Sequence, residues 1–265
     1  MCVVGAGRFS MRVNSVCWSS SWTNPFDISR THSWAKAALL LALSPLGACT
    51  SQPGRPFDHA MEDAHSGGSA LAISSDSRIL ASGGWSGNIR LWNLVTGAPI
   101  NRWEGHADSV NGIFFLPGNR IVTLGYDGVI AVWSHAGDKL RSWQTSPVTS
   151  ADIQLERDLL ITGHRNGSLS EWHIGDWSLI KRHHPFGSSV YNVRIGPDAK
   201  RLAASSSDGR VTIVTRASGA TRYLEEPPTD ARALAFSPDG SQLYGGGWFD
   251  LFRWQLSDGY MQIMD

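Results

Sequence analysis

His106, Thr123 and Asp127 are the residues of this chain whose types come closest to a reaction centre. An imidazole, a hydroxyl and a carboxylate are the parts of a hydrolytic triad, in which the hydroxyl attacks, the imidazole takes its proton and the carboxylate orients the ring. Two features speak against that chemistry. Thr123 sits inside the apolar run Ile121-Val122-Thr123-Leu124, which reads as a strand that buries it, and no nucleophile elbow surrounds it. No catalytic residue is therefore expected. His164, His173, His183 and His184 cluster loosely, and a His-His pair can ligate a metal. With no cysteine nearby and no strand spacing that points two rings one way, these four read as solvated loop histidines, so neither a metal nor another cofactor is expected. Glu225 and Glu226, ahead of Pro227-Pro228, read as solvated carboxylates of an exposed loop.

The elements that must position these groups follow from the stretch Gly105 to Trp133. Val110 to Phe115 is a strand-like run, Leu116-Pro117-Gly118-Asn119 a turn, and a second apolar run leads to Tyr126-Asp127-Gly128 and then to Val129-Ile130-Ala131-Val132-Trp133. Apolar runs joined by a Pro-Gly turn and an Asp-Gly turn describe a small antiparallel meander. One meander cannot bury both faces, and this one recurs. Closing tryptophans fall at Trp92, Trp133, Trp172 and Trp254, with spacings of 41, 39 and 82 residues; the absent member belongs near Ile213. Turn glycines Gly87, Gly128, Gly167 and Gly209 keep the same phase, as do first-turn markers at Asp76-Ser77, Pro117-Gly118, Pro197-Asp198 and Pro238-Asp239-Gly240. Five repeats are visible, the third worn at Glu156-Arg157-Asp158.

Composition fits this reading. The 265 residues include 28 Gly and 12 Trp with only 17% charged residues, which suits many short strands and tight turns. Lys and Arg together number 23 and so do Asp and Glu, so no basic excess points to nucleic acid. The cysteines, Cys2, Cys17 and Cys49, all precede the repeats, so no disulfide framework holds the repeats and their stability must come from packing.

Repeats near 40 residues that combine Gly-His, Pro-Asp-Gly, Asp-Gly and a closing Trp resemble the WD-repeat β-propeller family from about His65 to Asp265. The resemblance implies an all-β fold of four-stranded blades. It also implies a buried network of a His, a strand hydroxyl, a turn Asp and the Trp, matched in full only by His106, Thr123, Asp127 and Trp133. Repeat one offers His65, Ser82 and Trp92 with Ser86 for the aspartate; repeat three keeps Thr162 and Trp172 with Asn166 in the turn and no matching histidine; repeat four keeps Asp208. In that family the residue before the turn aspartate often faces a protein-binding surface, which points to Trp85, Tyr126, Arg165, Ser207 and, across a shortened fifth turn, Trp248. Aromatic residues and Arg suit interface anchors, although a tryptophan after glycine can equally pack on a neighbouring blade.

Ahead of the repeats, residues 1–34 carry no assignable pattern, and 35–49 read as a signal peptide: Arg30 and Lys36, an apolar core from Ala37, then small residues before Cys49. Leu46-Gly47-Ala48-Cys49 resembles the lipobox of bacterial lipoproteins, which implies lipid attachment at Cys49, and Thr50 implies the outer rather than the inner membrane. The length before this core suggests a true start further in than Met1. Residues 50–64 read as a polar tether and 65–265 as the propeller. Gly259 to Asp265 would supply an outer strand for repeat five. Five repeats leave two expectations open, a five-bladed ring or the first part of a longer coding sequence.

Three function classes follow. The leading one is a non-enzymatic scaffold, anchored by lipid on the periplasmic side of a bacterial envelope and binding a protein partner not yet identified. A second is the propeller part of a larger redox protein carrying a c-type cytochrome domain. The third and weakest is a propeller enzyme of lactonase or lyase type, for which no ring of inward carboxylates is found by spacing.

Overall fold

The structure, a computed structural model, describes residues 67–264; His65, the three cysteines and the proposed signal and tether lie outside the described residues. Twenty strands form five four-stranded antiparallel sheets, each a meander in chain order. Blade one holds β1 (Gly68–Ile73), β2 (Ile79–Gly84), β3 (Asn88–Asn93) and β4 (Pro99–Glu104). Blade two holds β5 (Val110–Leu116), β6 (Arg120–Gly125), β7 (Val129–Ser134) and β8 (Lys139–Gln144). Blade three holds β9 (Val148–Gln154), β10 (Leu159–His164), β11 (Leu169–His173) and β12 (Leu179–His183). Blade four holds β13 (Val190–Ile195), β14 (Arg201–Ser206), β15 (Val211–Thr215) and β16 (Thr221–Tyr223). Blade five holds β17 (Ala233–Phe236), β18 (Gln242–Gly246), β19 (Leu251–Gln255) and β20 (Met261–Met264), the last falling in the stretch expected to supply an outer strand.

The sequence pattern explains the layering. A strand covered on both faces reads as a continuous apolar run, and Ile121 to Leu124 of β6 and Ile130 to Trp133 of β7 are buried throughout between blades one and three. The outer strands β4 and β8 are largely exposed, and each turns a single tryptophan, Trp103 or Trp143, toward the next blade. Between the first two strands of each blade the chain takes a left-handed residue, at Ser77, Asn119, Asp158, Ala199 and Gly240. In the worn third repeat a 3-10 turn over Leu155–Arg157 delivers Asp158 to that position without a proline.

Four buried apolar clusters join successive blades: one to two through Ile89, Leu91, Ile121 and Trp133; two to three through Leu124, Ile130, Leu160 and Trp172; three to four through Leu159, Ile161, Val193 and Val214; four to five through Val211, Leu224, Phe252 and Trp254. Side chains also tie the innermost strands across blades. Asn111 Nδ2 donates to Val148 O at 2.8 Å, and Asp152 Oδ2 accepts from Ile195 N at 2.8 Å. Among the described residues no buried cluster joins blade five to blade one, an arrangement in keeping with an incomplete propeller.

Candidate interaction surface and the clasps beneath it

The most chemical-looking residues come together in blade two. His106 Nδ1 lies 3.0 Å from Asp127 Oδ1, His106 Nε2 lies 2.8 Å from Thr123 Oγ1, and Trp133 Nε1 donates to Thr123 Oγ1 at 2.8 Å. Counting protons orders the chain. Thr123 Oγ1 receives the indole N–H and gives its own proton to Nε2, so Nδ1 carries the imidazole hydrogen and donates it to Asp127. Asp127 also accepts from Ala107 N and Val129 N, each at 2.9 Å, which fixes the turn. Gly125 leaves the room, since a Cβ there would run into His106 Nδ1 and Asp127 Oδ1. Burial holds the His106 pKa below the usual histidine value, partly offset by the hydrogen bond that the ring donates to Asp127. The geometry imitates a triad, yet Thr123 is 0% exposed and its oxygen already accepts from Trp133, so no substrate reaches it.

Blade three departs from the sequence reading. Trp172 Nε1 donates to Thr162 Oγ1 at 3.0 Å, and the histidine read as absent is supplied by His164 of the same strand, with Nε2 2.9 Å from Thr162 Oγ1 and Nδ1 3.0 Å from Ser146 O. His164 is 1% exposed, not a solvated loop residue. Desolvation lowers its pKa to about 4, although the hydrogen bond to Ser146 O works the other way. The missed signal is the period of two: residues 162 and 164 of one strand point to one face. His183 is also buried, 2.6 Å from Glu171 Oε1, whereas His173 pairs with Asp158 at 3.1 Å in the open and His184 is exposed. In blade one Trp92 Nε1 donates to Ser82 Oγ at 3.0 Å. Blade four has Val214 at the tryptophan place, and in blade five Trp254 Nε1 donates to Glu225 O at 2.8 Å rather than to a hydroxyl. Glu225 is exposed, but its Oε2 accepts from Met261 N at 2.8 Å and so ties the loop to β20. Among the described residues no three His, Cys, Asp or Glu side chains gather to hold a metal ion.

Four of the five candidate surface residues share one backbone hydrogen-bond pattern. The N–H groups of Trp85, Tyr126, Arg165 and Ser207 donate to the carbonyls of Gly67, Ser109, Pro147 and Ser189, so each opens its turn in the same way. Trp85 and Trp248 are each 67% exposed, large values for tryptophan. The structure brings Arg165 over the Tyr126 ring at 5.8 Å, and Arg232 over both Trp248 and Tyr191 at 4.7 Å. Trp85 spreads over Gly67, where a Cβ would meet its ring at 2.8 Å, and Ser207 is exposed. Arg232, Tyr191 and Phe249, the last 94% exposed beside Trp248, were not among the expected surface residues. Phe249 was legible as an apolar residue at a turn tip; Arg232 lies at the entry to β17, the inner strand of the same blade, in the register place that Tyr191 holds in blade four.

Comparison with known proteins agrees with this architecture. Residues 60–93, 97–134 and 177–214 match the WD domain, G-beta repeat. Over 183 residues, covering 65% of this chain, it is 25% identical to Periodic tryptophan protein 2 of Arabidopsis thaliana, of which it spans 20%. Over 119 residues, 44% of this chain, it is 32% identical to the sterol regulatory element-binding protein cleavage-activating protein of Xenopus laevis, of which it spans 9%. The fold is similar to the crystal structure of the computationally designed Ika8 protein, with a TM-score of 0.61 and 24% identity over 74% of this chain and 61% of that one. The chain carries WD40 repeats, in three matched segments, on an all-β scaffold of five four-stranded blades.

Proposed function

We propose that this chain is a non-enzymatic protein-binding scaffold whose partner docks on the surface built by Trp85, Tyr126, Arg165, Ser207 and Trp248. WD-repeat proteins are generally protein-interaction scaffolds. The observation that carries the reading is a pair of surface cation–aromatic groups, exposed Arg165 on half-buried Tyr126 and exposed Arg232 on exposed Trp248, whose aromatic members stand at the repeat position that also exposes Trp85. Such groups combine contact area with charge and are the residue types that dominate interface energetics. His106, Thr123, Asp127 and Trp133 act in this proposal as a structural clasp that holds the Tyr126 turn in place.

The scaffold is tethered by lipid at Cys49 on the periplasmic side of a bacterial envelope, in the outer membrane. The motif before Cys49 and Thr50 after it support this placement. Capture of envelope proteins on the lipidated chain tests the surface: substituting Trp85 and Tyr126 together by Ala should cut the captured partner at least tenfold while the circular dichroism of the blades is unchanged. Equal capture by the double variant rules the surface out. Cys49→Ser should release the chain from the membrane fraction, and retention there would overturn the tether.

A further inference from the structure

The missing tryptophan of blade four leaves a place that the fold elsewhere fills with indole. At the junction of blades two and three, Trp143 from the outer strand β8 lies 6.1 Å from Trp172 and 5.0 Å from Trp177, between the two rings. Register identifies the same three places one junction on. Trp143 pairs with Ile130 as His183 pairs with Leu169; Trp172 pairs with Leu160 as Val214 pairs with Leu202; and Trp177, left-handed in its turn, corresponds to Gly219, also left-handed. His183, Val214 and Gly219 therefore stand where three indoles meet in the preceding junction.

An ion cluster occupies part of that space. Glu171, which takes the place of Val132, is 2% exposed; its Oε1 accepts from His183 Nε2 at 2.6 Å and its Oε2 from Arg216 Nε at 2.8 Å. Arg216 is itself pinned by Nη1 donating to Ala199 O at 2.6 Å. Beside the cluster a groove of about 520 Å³ opens between the blades, walled by Ile180, Lys181, Ala199, Lys200, Arg216 and Ala217. That volume falls in the range of small-molecule sites. Its exposed surface is mostly apolar, and Glu171, which also lines it, is already matched by Arg216. Lys181 Nζ is held in place by Arg216 O and Ala217 O, each at 3.2 Å, and among the described residues neither Lys181 nor Lys200 forms an ion pair. The groove thus offers apolar room with two ammonium groups at its wall.

We infer that this groove between blades three and four is a binding site for a small aromatic carboxylate, the ring lying against Ile180, Ala199 and Ala217 and the carboxylate meeting Lys181 and Lys200. The site is separate from the surface that carries Trp85 and Tyr126.

Calorimetry and amide shifts of the purified full chain, titrated with indole-3-acetate, 3-methylindole or tryptamine, test it. Indole-3-acetate should bind saturably and shift amides of residues 180–183, 199–200 and 215–219, with the neutral and cationic probes at least tenfold weaker. Ala217→Trp, at an exposed position, should fill the groove and abolish binding, and Lys200→Glu, exposed at the wall, should weaken it at least tenfold. The inference is overturned by no saturable binding, by tryptamine or 3-methylindole binding as tightly, by shifts confined to other blades, or by binding that survives Lys200→Glu unchanged.

Discussion

Two junctions of this molecule share one backbone register and use opposite chemistry. Between blades two and three the contact is three indoles, Trp143, Trp172 and Trp177; between blades three and four it is Glu171, His183 and Arg216. The aromatic junction is held by area and tolerates imperfect polar pairing, for Trp143 Nε1 is buried with no hydrogen-bond partner among the described residues. The ionic junction satisfies both carboxylate oxygens, and each of its members depends on the others. A repeat can therefore lose its tryptophan without losing its strand register, provided another set of side chains fills the junction.

The contrast is sharpest under truncation. Trp172→Ala should cost about 3 to 5 kcal/mol in urea denaturation, as large-to-small changes in a core do. Arg216→Ala should cost about as much because it strands the Glu171 carboxylate, but the combined exchange Glu171→Leu, His183→Leu, Arg216→Met should recover most of that loss. Failure of the triple exchange to recover stability would break the equivalence of the two junctions.

Acid separates the blades next. Burial alone would raise the Glu171 pKa, but hydrogen bonds from His183 and Arg216 and the charge of Arg216 bring it below its ordinary 4.5. A depressed carboxylate stabilises above its unfolded pKa, and that contribution is lost as pH falls through the lower folded value. His164 acts at higher pH: with a folded pKa of about 4 against 6.5, it stays neutral in the fold while the unfolded chain takes up a proton. Stability should fall by roughly 3 kcal/mol as pH drops from 6.5 toward 4. His164→Asn, followed by denaturation across that pH range, should flatten the slope; an unchanged slope would assign the acid sensitivity elsewhere.

Smaller effects mark what each junction does not need. Trp143→Phe removes the unpartnered indole N–H and should leave stability within about 1 kcal/mol, the lost area offset by the relieved polar group. His173→Ala removes the contact with Asp158, in which both side chains are about half exposed, and the thermal midpoint should move by less than the equivalent of about 0.5 kcal/mol.

These regions also show what the sequence could and could not reveal. Trp92, Trp133, Trp172 and Trp254 are in phase, so the blades and the His106 clasp could be located from spacing, and the gap near Ile213 marked blade four as different. What fills the gap could not be read, because Glu171 and Arg216 meet only through the packing of two sheets 45 residues apart in sequence. His164 is illegible for a different reason: the repeat pattern places the histidine in Gly-His ahead of the blade, while blade three supplies it from the hydroxyl's own strand. On the outer surface, Trp85, Tyr126, Arg165 and Trp248 were placed by repeat phase, but Arg232, which joins Trp248 to Tyr191, could not be, because its register place holds a different residue type in each blade, Asn111 in blade two and Tyr191 in blade four.

The scaffold reading is tested most directly by site-specific photo-cross-linking in cells that produce the lipidated chain. p-Benzoylphenylalanine at Ser207, exposed on the candidate surface, and at Leu140, exposed on the outer strand β8, gives a matched pair. A discrete protein adduct from position 207 and none from position 140 is the predicted result. No adduct from position 207, or the same adduct from both, would contradict a docking surface at the turn positions.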